Sequence, residues 1–318
     1  MITSEQLNQA RETVYAHMSP TLQTPWPLLQ THLGVEVWVK HENHTPTGAF
    51  KVRGGLVLMA RRQREGLTNG IISATRGNHG QSLPFAARLY DIPVTIIVPK
   101  GNSSEKNMAM RALGATLFEH GADFNEALDH AADLSKEKRL DMIGSFIPEL
   151  VHGVATYGAE LFDAAGELDT VYVPIGMGSG ICALIGVRDL MGLKTRIVGV
   201  VAQKANAYAL SFENGTLTAT NSADSFADGM AVRIPHPQAL ETILKGAERI
   251  VEVSEQQMAQ AVRLYYTHTH NIAEGAGAAA LAALMSERDK MQGKRVAVIL
   301  SGGNIDMDLY QKILREEI

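Results

Sequence analysis

The sequence predicts an α/β fold built on parallel sheets. Short apolar, strand-like runs alternate with longer helical patterns along its 318 residues, which is the order that strand–helix–strand units produce. Three of these strand ends carry glycine-containing loops, and ligands of open α/β sheets gather at the carboxyl ends of strands. The length favours two domains over one or three.

The composition is that of an ordinary globular protein, with 45% hydrophobic and 20% charged residues. The net charge of -5 is mild and spread along the chain, so it predicts neither nucleic acid nor an anionic membrane as a partner. No stretch approaches the roughly 20 apolar residues of a membrane span, and the polar first helix pattern lacks a signal peptide's apolar centre. The single cysteine, Cys182, suits a reducing compartment. We therefore expect a cytoplasmic protein.

The first half of the chain predicts one strand, Val35–Lys40, and then a compact unit of four strands from about residue 71 to 150. Alternating or continuous apolar runs define the strands, and helical periodicity defines the segments between them. The strands are predicted at Ile71–Ala74, Val94–Val98, Ala115–Glu119 and Ile143–Ile147, and the helices at Ser82–Tyr90, Ser104–Leu113 and Asn125–Lys138.

The second half returns to strands that flank this unit. Further strands are predicted at Thr170–Pro174, Arg196–Val201 and Val296–Leu300, a capping box at Ser254 and Gln257 starts a helix, and the small polar residues of Asn214–Asp228 indicate a surface excursion. Because strands lie on both sides of the central unit, we predict a small domain, residues 71–150, inserted into a large domain of residues 1–70 and 151–318. The functional site is expected in the cleft between them.

The loop Gly176–Gly180 follows a strand and opens a helix. Its glycines let backbone N–H groups approach an anion, and the helix dipole favours a phosphate there. No Lys-Ser/Thr follows, so a nucleotide P-loop is not predicted, and the GxGxG spacing does not match a dinucleotide fingerprint. A tight strand–helix turn without a ligand is the alternative for this loop alone.

Two further segments carry polar groups that suit a reaction site. In TPTGAFKVRGG, Lys51 follows an aromatic residue and stands beside small ones; a lysine that forms an imine needs a lowered pKa and room for a planar ring. A surface lysine is the alternative there. In RGNHGQ, residues 76–81, backbone amides, an amide side chain and an imidazole meet at a strand end, with a polar helix cap as the alternative.

Together, the segments TGAFKVRGG, TRGNHGQS, GMGSG, EGAGAAA and SGGN, in this order over nearly the whole chain, resemble the fold-type II pyridoxal-phosphate enzymes, in particular the threonine/serine dehydratase and serine racemase branch. The resemblance implies a tryptophan-synthase-β-like fold with two open parallel-sheet domains, and pyridoxal 5'-phosphate as the cofactor.

The resemblance also implies roles for the matching residues. Lys51 would be the catalytic residue, carrying the cofactor as an imine and moving the Cα proton. Asn78 would bind the ring hydroxyl and Ser301 the pyridine nitrogen. The implied cofactor-binding residues are Phe50, Lys51, Asn78, Gly176, Met177, Gly178, Ser179, Gly180, Glu274 and Ser301, and the implied substrate-binding residues are Thr75, Arg76, Gly77, Asn78 and His79. Glu274 has the alternative of a helix N-terminal carboxylate.

The chain departs from these relatives at two places that bear on activity. Arg76 stands where serine racemases carry a serine, and a guanidinium, with a pKa above about 12, exchanges protons poorly. Residues 202–210, which match the segment that supplies acidic metal ligands in relatives, contain no carboxylate, so no metal site is predicted.

We therefore expect a dehydratase, or ammonia-lyase, that converts a β-hydroxy amino acid to a 2-oxo acid and ammonia, with threonine or serine as the default substrate. The alternatives are a dehydratase for aryl-serine, hydroxyaspartate or a hydroxyectoine-derived compound, an amino-acid racemase, and a non-catalytic binding protein for the cofactor. The expected partner is a small amino-acid substrate, and a homodimer is left open.

Overall fold

The computed structural model describes residues 2–318 and contains two sheets, one of six strands and one of four. The six-stranded sheet has the order β1-β2-β10-β7-β8-β9, and the four-stranded sheet has the order β5-β4-β3-β6. All neighbouring strands are parallel except β1 and β2. The strands are β1 (Gln23–Pro25), β2 (Glu36–His41), β3 (Ile71–Ala74), β4 (Val94–Val98), β5 (Thr116–Glu119), β6 (Asp141–Met142), β7 (Thr170–Pro174), β8 (Arg196–Ala202), β9 (Arg249–Val253) and β10 (Arg295–Leu300).

Helices pack on the faces of both sheets. They are α1 (Ser4–Tyr15), α2 (Pro27–Leu33), α3 (Lys51–Arg64), α4 (Asn78–Ala87), α5 (Ser104–Ala112), α6 (Phe124–Lys138), α7 (Pro148–Ala165), α8 (Ser179–Leu190), α9 (Ala207–Asn214), α10 (Pro237–Gly246), α11 (Glu255–Thr269), α12 (Gly275–Glu287) and α13 (Met307–Leu314). Within residues 2–318, none of them combines the length and the apolar content that a membrane crossing requires.

Strand β10 shows why the central strands are continuous apolar runs. Its side chains alternate between two hydrophobic cores: Val296, Val298 and Leu300 pack with residues of α11 and α12, whereas Ala297 and Ile299 pack with residues of α7 and α8. Successive side chains of a strand point to opposite faces, so a strand covered by helices on both faces must be apolar throughout. The predicted α/β fold with parallel sheets is confirmed.

Three of the four predicted strands of the central unit lie in one sheet, and the fourth was predicted at the wrong place. Ile143–Ile147 was predicted as a strand, whereas β6 is the two-residue strand Asp141–Met142. The Ile143 amide still donates to the Ile72 carbonyl oxygen at 2.8 Å, but the Ile143 carbonyl accepts from the Ser73 hydroxyl at 2.7 Å. The Ser73 side chain thus takes the place of a backbone amide in the pairing of β3 with β6, and the chain leaves the sheet before α7.

Other boundaries differ by a few residues. Strand β2 begins one residue later than predicted, and the helix predicted from Ser82 begins at Asn78. The short antiparallel β1 and the edge strand β9 were not predicted, since neither has a long apolar run. All strands of the four-stranded sheet lie within residues 71–142; the division into domains at residues 71 and 150 stays a prediction.

Helix α3 is held against its neighbours at very short range. A side-chain Cβ on Gly54 would lie 2.8 Å from the Leu150 carbonyl oxygen, and a Cβ on Gly153 would clash with the Arg53 backbone. Only glycine permits this approach of two helix backbones. The packing of α3 on α7 therefore fixes the position of α3, whose first residue is Lys51.

Candidate active site

A cavity of about 550 Å³ lies where the carboxyl ends of β3, β7 and β10 face each other. Every residue that the sequence predicted for the cofactor or the substrate lines it: Phe50, Lys51, Thr75, Arg76, Gly77, Asn78, His79, Gly176, Met177, Gly178, Ser179, Gly180, Glu274 and Ser301. The structure thus brings together residues from five separate parts of the chain, and their individual roles stay predictions.

Lys51 is positioned by the end of β10. The Phe50 amide donates to the Ser301 carbonyl oxygen at 3.1 Å, and the Ser82 hydroxyl of α4 donates to the Lys51 carbonyl oxygen at 2.7 Å. Burial lowers the pKa of the Lys51 amine to about 8, against the opposing charge of Glu274. A much larger fraction of this amine is unprotonated near neutral pH than of an ordinary lysine, which makes it a competent nucleophile.

The loop Gly176–Gly180 follows β7 and leads into α8. Gly178 has a φ of 102°, and a Cβ on it would lie 2.7 Å from the Ala239 methyl group. A Cβ on Gly176 would clash with the Gly229 carbonyl oxygen. A side chain is therefore excluded at Gly176 and at Gly178. The loop leads into the N-terminus of the twelve-residue helix α8, where an anion is favoured.

Asn78, the first residue of α4, is held by two side chains from elsewhere in the chain. Its Nδ2 donates to Glu274 Oε1 at 2.7 Å, and its Oδ1 accepts from Asn304 Nδ2 at 2.8 Å. Glu274 is 6% exposed, and burial raises its pKa, against the lowering effects of Lys106 and of the Asn78 hydrogen bond. Asn78 still has one amide proton that the described residues leave free to face the cavity.

His79 is 4% exposed, and neither of its ring nitrogens has a hydrogen-bond partner among residues 2–318. Burial, with the nearby charge of Lys51, lowers the pKa of this imidazole to about 3. A buried polar group without a partner is costly. His79 is therefore a neutral imidazole in the lining of the cavity, and no group within residues 2–318 uses its ring nitrogens.

Ser301 follows β10 directly and is 4% exposed. Its backbone carbonyl accepts from Phe50, and its side chain lines the cavity. The hydroxyl is a neutral group that can both donate and accept a hydrogen bond.

The structure adds two charged residues to the site that the sequence did not predict. Lys106 of α5 donates from Nζ to Asp228 Oδ2 at 3.1 Å, and Arg76 Nη1 lies 3.9 Å from Asp228 Oδ1. Asp228 ends the segment Asn214–Asp228, which was predicted as a surface excursion. Its first part is mostly exposed, but Ala227 is buried and Asp228 lines the cavity. No local pattern identifies these residues, because their partners are more than a hundred positions away.

A second charged cluster lies behind Lys51, away from the cavity. Arg53 Nε donates to Glu42 Oε2 at 2.7 Å, and Arg53 Nη1 donates to Glu160 Oε1 at 2.6 Å. Lys40 also pairs with Glu160, and the side chains of Lys40, Glu42 and Arg53 are fully buried. We call these four residues the α3 cluster; the sequence did not predict it.

Comparison with known proteins identifies the family. A family model described as pyridoxal-phosphate dependent enzyme matches residues 14–302. An L-threonine ammonia-lyase of Thermotoga maritima is 30% identical over 99% of this chain and 79% of its own, and one of Geobacter sulfurreducens is 34% identical over 86% of this chain and 69% of its own. The structure of threonine deaminase isoform 2 from Solanum lycopersicum superposes with a TM-score of 0.90 at 27% identity, covering 99% of this chain and 94% of the other.

Proposed function

The chain belongs to the family of pyridoxal-phosphate-dependent enzymes, and from this premise we propose that it removes water and ammonia from a β-hydroxy amino acid such as threonine or serine. The net products are a 2-oxo acid and ammonia, because the water lost from Cβ is taken up again when the resulting unsaturated amine hydrolyses. The chain is thus a lyase of the dehydratase type, as its relatives are.

The residues around the cavity fit this cofactor. Lys51 offers an amine with a lowered pKa, and the loop Gly176–Gly180 leaves backbone amides open at a helix N-terminus where side chains would clash. His79 has two buried nitrogens without partners within residues 2–318. An aldehyde, a phosphate and a polar ligand group are what such donors would recognise.

We assign the contacts from these positions. Lys51 would hold the cofactor covalently, the loop Gly176–Gly180 would bind its phosphate, Asn78 would donate its free amide proton to the ring hydroxyl, and Ser301 would meet the pyridine nitrogen. When bound, pyridoxal phosphate supplies an electron sink that stabilises negative charge at the substrate Cα. A neutral hydroxyl at Ser301 holds no permanent proton on the ring, which favours elimination over transamination.

Groups of the protein itself would bind the substrate and remove its proton. The backbone amides of Thr75–His79, at the N-terminus of α4, would hold the substrate carboxylate, since a helix N-terminus favours an anion. Lys51 would remove the Cα proton once the substrate amine has replaced it. Positioning of this kind brings the reacting groups together and converts an encounter into an oriented reaction.

Arg76 is the residue that argues against racemisation. Its guanidinium stays protonated and cannot deliver or accept a proton on the second face of Cα. Its side chain is 42% exposed and lies near Asp228 at the cavity, so we propose that it contacts the substrate.

One observation carries the proposal: a lysine amine with lowered pKa shares a cavity with the N-termini of α4 and α8. The test is a panel of hydroxy-amino acids incubated with the holoenzyme and assayed for 2-oxo acid and ammonia. Threonine or serine should release both in equal amounts, and chiral chromatography should detect no D-enantiomer. Absence of the cofactor's visible absorbance, or no product from any member, would reject the proposal.

We further propose that the protein works in the cytoplasm and leave a homodimer as a prediction. Cys182, the only cysteine of the sequence, is a free and buried thiol, which suits a reducing compartment. Sedimentation of the purified protein tests the dimer.

A further inference from the structure

Tyr208 lies directly behind the glycine loop Gly176–Gly180. It belongs to α9, is 1% exposed, and packs in a hydrophobic core beside residues of α8 and α10. Its hydroxyl donates to the Met177 carbonyl oxygen at 3.0 Å. Met177 and Gly178 line the cavity, whereas Tyr208 does not. The hydroxyl therefore holds the loop from the side that faces away from the cavity.

A second hydrogen bond fixes the direction of the hydroxyl proton. The backbone amide of His236, the N-cap residue of α10, donates to the Tyr208 oxygen at 3.0 Å. An amide N–H can only donate, so the Tyr208 oxygen accepts there and its own proton is left for the Met177 carbonyl. The hydroxyl thus has one backbone donor and one backbone acceptor, and both of its hydrogen bonds are satisfied.

The hydrogen bond to Met177 determines which way the next amide points. In a trans peptide unit the C=O and the N–H lie in one plane and point in opposite directions. Because the Met177 carbonyl points to Tyr208, behind the loop, the Gly178 N–H points to the cavity side. This amide donates to no acceptor among residues 2–318. It is therefore an unused donor at the N-terminus of α8, where Gly178 is the N-cap residue.

Glycine at position 178 makes the opposite orientation sterically accessible. Glycine adopts positive and negative φ about equally readily, so the peptide unit between Met177 and Gly178 can turn over at little steric cost. Turned over, it would direct the Met177 carbonyl oxygen, with its partial negative charge, into the site proposed for a phosphate. In the structure Gly178 has a φ of 102°, and the hydrogen bond from Tyr208 favours this orientation over the other.

We propose that Tyr208 is a positioning residue for the cofactor's phosphate: by holding the Met177 carbonyl, it keeps the Gly178 amide turned toward the phosphate oxygens. Tyr208 does not line the cavity and acts through the backbone of the loop. The inference rests on the proposed binding of pyridoxal phosphate at Gly176–Gly180.

The test compares two ligands, pyridoxal 5'-phosphate and pyridoxal, which share the aldehyde and the ring and differ in the phosphate. Each is titrated into the whole chain freed of cofactor, and the visible absorbance of the bound ligand gives its Kd. Tyr208→Phe removes only the hydroxyl and keeps the buried ring. Since the loss of one charge-assisted hydrogen bond weakens binding by about ten-fold or more, the Kd of pyridoxal phosphate should rise by that factor. The Kd of pyridoxal should stay unchanged.

Tyr172→Phe is the matched control. Tyr172 is fully buried on β7, the strand that precedes the loop, and its hydroxyl donates to Glu287 Oε2 at 2.8 Å. The variant therefore also loses a buried hydroxyl and its hydrogen bond, but none at the loop. It should lower the urea midpoint and leave the ratio of the two Kd values unchanged. A general loss of stability is thus distinguished from a loss of phosphate binding.

An unchanged ratio of the two Kd values in Tyr208→Phe, or an equal rise for both ligands, overturns the proposal. If Tyr208→Phe does not fold, His236→Pro and His236→Ala are compared instead. Both lose the imidazole, but only proline lacks the amide that orients the Tyr208 hydroxyl, and the φ of -75° at this position lies within proline's range. The preference for the phosphorylated ligand should be lower in His236→Pro, and equal preferences in the two variants overturn the proposal. An unmodified protein that binds neither ligand would instead reject the proposed function.

Discussion

The α3 cluster and the cleft cluster, which consists of Arg76, Lys106, Asp228 and Glu274, are built from the same residue types but differ in how fully their charges are paired. In the α3 cluster, Arg53 donates to Glu42, Glu160, Thr21 and Thr156. In the cleft cluster, Arg76 lies 3.9 Å from Asp228 and its side chain is 42% exposed. Lys106 and Asp228 form the one close ion pair within this cluster among the described residues, at 3.1 Å.

The difference separates polar groups that are fully paired within the protein from polar groups that we propose for binding. Burial alone would raise the pKa of Glu160, but the hydrogen bonds and charges of Arg53 and Lys40 lower it. This carboxylate is therefore paired entirely with groups of the protein. In the cleft, the pKa of Glu274 is raised, and Arg76, Asn78 and His79 keep donors available. Buried charges with complete partners hold a fold together, whereas charges with spare donors near a cavity mark a functional site.

The largest effect is expected at Lys51, which lies two residues from Arg53 in the sequence. A substitution there should abolish activity without changing stability. Lys51→Ala should remove the visible absorbance of the bound cofactor and lower kcat/KM by at least about 10³-fold, because the base and the attachment point are lost together. The urea midpoint of the apo protein should not change by more than the experimental scatter. Activity near that of the unmodified enzyme would contradict the role assigned to Lys51.

Arg53→Met tests the α3 cluster. It leaves Glu42 and Glu160 buried with incomplete partners, and breaking such a pair costs about 3–5 kcal/mol of unfolding free energy. Urea denaturation of the apo protein measures this. Arg11→Met is the matched control, because Arg11 pairs with Asp163 at the surface, with side chains 33% and 54% exposed, and should cost at most about 1 kcal/mol. Equal losses in the two variants would show that the α3 cluster is not a stability element.

The pH dependence of cofactor attachment sharpens the comparison within the cleft. Only the unprotonated amine attacks the aldehyde, so the attachment rate of the apo protein should rise with pH and level off above about 8, the lowered pKa of Lys51. An ordinary lysine, with a pKa of 10.5, would level off more than two pH units later. Glu274→Gln removes the charge that raises this pKa, so its plateau should move to lower pH. Stopped-flow absorbance measures both; a plateau near 10.5 would refute the lowered pKa.

Arg76→Ser is expected to have a smaller effect, confined to the substrate. Loss of a charge-assisted contact worth about 1.5–3 kcal/mol should raise KM by roughly ten-fold or more with little change in stability. Steady-state kinetics on the best substrate decides this, and chiral analysis shows whether the new hydroxyl permits slow racemisation. Unchanged kinetics and substrate ranking would assign Arg76 a structural role beside Asp228.

The smallest effect is expected from metal removal. Because residues 202–210 carry no carboxylate, excess chelator should leave the rate unchanged, and added magnesium or calcium should not raise it. Strong inhibition by chelator with rescue by one cation would mean that the ligands come from another part of the chain.

Much of the site could be predicted because its parts are local in the sequence. Lys51, the residues around Asn78 and the glycine loop each stand at the end of one strand or the start of one helix, and the parallel fold brings such ends to one edge. The strand predicted at Ile143–Ile147 was wrong because its end depends on a contact that is not local. Its apolar pattern favours a strand, but the Ser73 side chain of β3 ends the pairing at Ile143.

The sequence by itself determined the alternating apolar runs, the parallel α/β architecture and the three strand-end segments, because each depends on neighbours within a few residues. Only the tertiary structure decided the partners: Arg53 with Glu160 across 107 positions, Lys106 with Asp228 across 122, and Asn78 with Asn304 across 226. No local pattern encodes such pairs, since the cost of burying a charge is offset only when folding brings its partner within hydrogen-bond distance.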